Sequence, residues 1–60
     1  YFVWQIKGKR YFRKTQPVGT YESREIIDAA EDLGYTNIEE KHDTIEANDP
    51  DGFRVVIAEQ

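Results

Sequence analysis

The chain has no cysteine and a single histidine, His42, among its sixty residues. No disulfide can staple it, and a Cys/His zinc site has too few ligands to form. The lack of cysteine also points to a reducing compartment, so a cytoplasmic location is expected. No apolar run approaches the roughly 18 residues of a membrane span, and no signal-peptide pattern is present. A membrane partner is therefore not expected. Glycine is sparse, and Gly8, Gly19, Gly34 and Gly52 each fit a turn or a helix end. None belongs to a glycine-rich phosphate loop.

One further absence is local. The first twenty residues contain no acid, yet they carry Lys7, Lys9, Arg10, Arg13 and Lys14. The remaining forty carry all twelve acids and only Arg24, Lys41 and Arg54 as bases. The chain divides into +5 and 3 − 12 = −9, for a net charge of −4. Tyr1, Phe2, Trp4, Tyr11 and Phe12 fall in the basic part. A net negative chain is not a generic polyanion binder, so any attraction for phosphate belongs to this segment alone.

Sixty residues make one small domain, 1–60. At this size only about 60% of the unfolded surface can be buried, enough for one helix on one sheet. With 38% hydrophobic residues the chain is too apolar to be a disordered tail. Stability has to come from local consistency, large aromatics or self-association.

Residues 1–7 are aromatic and β-branched and read as a strand, as do residues 9–15. A tight turn at Lys7-Gly8 joins them into a hairpin. Alternation puts Phe2, Trp4, Ile6, Lys9, Tyr11 and Arg13 on one face, expected to be the core side. Tyr1, Val3, Gln5, Arg10, Phe12 and Lys14 then face outward. Pro17-Val18-Gly19 reads as a connection. Ser23 is the expected N-cap of a helix over 24–33, whose stripe is Ile26, Ala30 and Leu33 with Ile27 beside it. Gly34 is placed to end that helix in a left-handed turn, with Tyr35 packing back on it. Residues 37–47 read as one polar strand or as two bent near His42-Asp43. Ile38 and Ile45 differ in parity, so one face holds both only with a bulge or turn. Asp49-Pro50-Asp51-Gly52 is a turn, followed by a last strand through Phe53, Val55 and Ile57. The expectation is an α+β fold in ββαββ order, with one helix on one face of a mostly antiparallel four- to five-stranded sheet.

Catalytic groups are not assembled by this pattern, and no enzyme activity is expected. Ser23 has a capping role, and Glu39 and Glu40 are adjacent, so on a strand they point to opposite faces. His42 with Asp43 and Glu40 is a solvated bend rather than a metal site, for two or three ligands on one strand bind weakly. Asp49, Asp51 and Glu46 lack the spacing of a calcium loop. Neither a cofactor nor a small-molecule substrate is implied.

Three readings of the basic hairpin follow. In the first it is a protein contact: Val3, Arg10, Phe12 and Lys14 form an aromatic and basic face for a protein partner or for a second copy in a dimer. Aromatics and arginine are the residues enriched at such contacts. This reading makes the chain a small regulatory or adaptor protein. In the second, Lys7, Lys9, Arg10, Arg13 and Lys14 contact nucleic-acid phosphates while the aromatics stack on bases. The run Gly8-Lys9-Arg10-Tyr11-Phe12-Arg13-Lys14, then Thr20-Tyr21-Glu22-Ser23 and Glu25-Ile26-Ile27-Asp28-Ala29-Ala30, resembles the strand–strand–helix pattern of arm-site-binding domains of phage integrases. That resemblance covers about half the chain and implies a sheet that reads DNA; the acidic second half departs from it. In the third reading the charges are matched internally, with Glu39, Glu40, Asp43 and Glu46 lying across from the hairpin cations.

Overall fold

A computed structural model describes residues 1–6, 12 and 16–60. The helix, α1 (Ser23–Asp32), is the element that orders the rest. Its start is a capping box built by Glu22 and Glu25, in which the Glu22 amide donates to Glu25 Oε2 at 3.2 Å. The cap is therefore Glu22, one residue before the expected Ser23. The expected stripe is correct: Ile26 and Ala30 are fully buried, and Leu33 packs against the same cluster. At the other end Gly34 has φ 91°, Tyr35 N–H donates to the Ala30 carbonyl at 2.9 Å, and Gly34 N–H to the Glu31 carbonyl at 3.1 Å. This pair of bonds is a Schellman motif, and it turns the buried Tyr35 back under the helix.

The strands are β1 (Phe2–Val3), β2 (Gly19–Thr20), β3 (Thr36–Glu40), β4 (Thr44–Asn48) and β5 (Arg54–Glu59). They form one antiparallel sheet in the order β2-β1-β5-β4-β3. The α+β expectation holds, with five strands because 36–48 folds as a hairpin around Lys41–Asp43. The second turn follows its sequence signal. Gly52 N–H donates to the Asp49 carbonyl at 2.9 Å, Gly52 has φ 94°, and the Asp49 carboxylate accepts from Phe53 N–H at 2.8 Å.

Two bulges set which residues face the helix. On β5, Ile45 pairs with Ala58 while Glu46 pairs with Val56, so Ile57 is the extra residue. Both Ile57 and Ala58 are buried as a result, which strict alternation forbids. On β3 the register shifts between Thr36 and Glu39, where Asn37 has φ 49°. The parity difference between Ile38 and Ile45 is resolved by the hairpin turn, since the pairs Glu40–Ile45 and Glu39–Glu46 put Ile38 across from Ala47 on the helix side. The core consists of Val3, Ile26, Ala30, Tyr35, Ile45, Ala47, Ile57 and Ala58. Each large aliphatic side chain among them contributes about 1.5–3 kcal/mol by leaving water.

The N-terminal strand differs from expectation. Only Phe2 and Val3 are β1, and they pair with Glu59 and Ala58 on one side and with Thr20 and Gly19 on the other. The segment read as a connection thus supplies the edge strand. The expected strand 9–15 and the turn at Lys7-Gly8 lie outside the described residues except for Phe12, which is not in a strand. The face assignment reverses at β1. Val3, beside Ala58, is fully buried under the helix, while Phe2 is 49% exposed on the far face. Pairing to β5 decides this, because a one-residue change in register exchanges the faces of a strand. Trp4 is buried as expected, though outside the main core cluster, and Ile6 packs against that cluster.

Candidate interaction surfaces

One face of the sheet is under α1; among the described residues no element covers the other, the bare face. Strand pairing fixes its membership. Phe2 lies opposite Glu59, Glu59 opposite Thr44, Val56 opposite Glu46, and Arg54 opposite Asn48. Glu39 lies opposite Glu46 on the outermost strand. Phe2 and Val56, 49% and 39% exposed, are its apolar residues.

Arg54 organises the polar half. Its guanidinium crosses β4 to reach β3: Nη1 donates to the Asn37 carbonyl at 2.6 Å and to Asn48 Oδ1 at 3.3 Å, and Nη2 to Glu39 Oε2 at 3.2 Å. Nε stands 3.5 Å from Glu46 Oε1, and Lys41 Nζ is 3.1 Å from Glu46 Oε2. The hydrogen bond from Lys41 is the main reason the Glu46 carboxyl is held below the usual carboxylate range; Arg54 adds to it, and partial desolvation opposes it. Among the described residues, Arg54 and Lys41 are both engaged with Glu39 or Glu46.

The hairpin cations of the internal-matching reading lie outside the described residues; the strand order bears only on the placement of the acidic strands. The acidic hairpin β3–β4 is separated from β1 by β5. Glu39 and Glu46 take Arg54 and Lys41, from the acidic part of the chain itself, as partners. The sequence held a signal for this, since Arg54 and Val56 share a parity on β5. Without the order 5-4-3, nothing singled out Arg54.

The proposed contact residues separate. Val3 is core and offers no surface. Phe12 is half-buried rather than outward: its ring meets Tyr35 edge-on with centroids 5.4 Å apart, and its amide donates to the Tyr35 hydroxyl at 3.1 Å. The remaining candidates, Lys7, Lys9, Arg10, Arg13 and Lys14, lie outside the described residues. They flank Phe12 in sequence, so the core holds the middle of the basic run.

At the opposite end of the molecule the Tyr1 hydroxyl donates to the Lys41 carbonyl at 2.9 Å and to Glu40 Oε2 at 3.3 Å. Burial of the phenol, then the Glu40 charge, pushes its pKa up. His42 is exposed beside it, and among the described residues no group of three or more His, Cys, Asp or Glu could hold a metal ion. Among those residues no helix is long and apolar enough to cross a membrane. No protein-family model matches the chain, and no curated protein or solved structure shows detectable similarity to it.

Proposed function

We propose that this domain is a small non-catalytic binding module that associates with a protein surface, in the first instance a second copy of itself. The contact is made by the N-terminal region: Phe2 on the bare sheet face, and the basic run Lys7, Lys9, Arg10, Arg13 and Lys14. The observation that carries this reading is the chemistry of the bare face. It combines exposed Phe2 and Val56 with the carboxylates Glu39 and Glu46. Such a face suits a cationic, aromatic segment of another copy better than it suits phosphate.

Sedimentation equilibrium over a concentration series tests it. A dimer is expected at low salt, dissolving as salt rises, because the attraction between exposed charges is screened. Reversing Lys9 and Arg10 to Glu should abolish it. A monomer at every concentration in low salt would overturn the proposal. A second reading, nucleic-acid binding through the same cations, is favoured by their density around Tyr11 and Phe12. It requires oligonucleotide affinity that falls with a log–log salt slope of about −0.9 per phosphate neutralised.

A further inference from the structure

The sheet has two edges, and they are unlike. β2 is two residues long and follows Pro17, which donates no backbone hydrogen bond. β3 is five residues long, and among the described residues its outer side faces no other strand. An edge of that length is a template for another strand. Its acids give limited protection. Two β3 strands meeting antiparallel about Ile38 place Glu39 and Glu40 of one copy opposite Asn37 and Thr36 of the other, so carboxylates do not confront each other.

What interrupts the edge is the bulge. Asn37 has φ 49°, a conformation disfavoured for residues bearing a Cβ and tolerated best by Asn after Gly. The guanidinium of Arg54 holds both sides of that bulge, the Asn37 carbonyl through Nη1 and the Glu39 carboxylate through Nη2. No other side chain among the hydrogen bonds of the described residues reaches across it.

We propose that Arg54 is a clamp that keeps β3 a closed edge, and that its loss opens this strand to pairing with β3 of a second copy. Released from the guanidinium, Asn37 relaxes toward extended backbone. The ladder on the outer side of β3 then becomes continuous, and an isologous antiparallel pair extends two sheets into one.

The test is Arg54→Met, studied at high salt so that the charge-driven association proposed above is suppressed and the two ideas fail separately. Sedimentation velocity should give a monomer for the parent protein and a concentration-dependent dimer for the variant. Amide exchange should slow by about tenfold or more in β3 alone, because its outward groups become bonded. Arg54→Lys keeps the charge but loses the fork, and it serves if the Met variant does not fold; dimerisation is expected there too. Asn37→Gly with Arg54 intact should stay monomeric, since glycine favours the bulge. A folded Arg54 variant that remains monomeric, with β3 exchange like that of the parent, overturns the proposal. So does a dimeric Asn37→Gly.

Discussion

The two faces of this sheet are made by neighbouring residues of the same strands, and they follow different chemistry. Toward α1 stand Val3, Ile45, Ala47, Ile57 and Ala58, all essentially without solvent contact. Away from it stand Phe2, Val56, Arg54, Glu46 and Glu39, joined by ion pairs and partly wet. Shape complementarity holds the first face, so each methylene there matters. The second face is held by charge pairs of small individual worth. Where a partner is to be met, it is the second face that can exchange its contacts without unfolding the domain.

The sharpest way to break this contrast is to truncate one aliphatic residue on each face. Ile45→Ala should cost about 2–5 kcal/mol, since the residue is fully buried between helix and sheet. Val56→Ala, on the wet side of the adjacent strand, should stay within about 1 kcal/mol. Urea unfolding of both variants checks the pair, and similar losses would mean that the bare face is covered in solution.

The inner face was largely legible in the sequence, and the outer one was not. Helix stripe, Gly34 cap and the Asp49–Gly52 turn depend on residues close in the chain, where spacing and backbone preference decide. Glu22 was missed as the cap because glutamate rarely caps alone; it does so here only in reciprocal partnership with Glu25. The exchange of Phe2 and Val3 was hidden because β1 is too short to carry its own periodicity, and its register is dictated by Ala58 and Glu59, more than fifty residues away. The Arg54 network was hidden for the same reason. Its members are scattered from Asn37 to Arg54 and meet only through strand order.

Phe12 gives a finer comparison, since it joins the basic run to the core. Phe12→Ala should cost about 1–3 kcal/mol, less than a fully buried Phe because the ring is half-exposed and its edge-on contact with Tyr35 is a modest part of the total. Phe2→Ala should cost less than about 1 kcal/mol in stability, in keeping with a surface site, yet weaken self-association. If the two variants exchanged these outcomes in paired denaturation and sedimentation runs, the reversed faces of β1 would be wrong.

The smallest expected effect is the one that titrates. Among the described residues the core contains no buried polar or charged side chain, so acid has no buried carboxylate there to protonate. On the outer face the Glu46 carboxyl is held below its ordinary value of 4.5, first by the hydrogen bond from Lys41 and then by Arg54. A carboxyl with a depressed folded-state pKa contributes stability that is fully present above the unfolded value, and the contribution disappears as pH falls through the folded one. Between those two values the unfolded chain binds the extra proton, which tilts the balance toward unfolding. Thermal melts of the protein and of Glu46→Gln should therefore differ at neutral pH and converge below the ordinary carboxylate range, with high salt shrinking the difference. A gap that stayed constant with pH would assign Glu46 a packing role instead, and the outer face would then resemble the inner one more than its ion pairs imply.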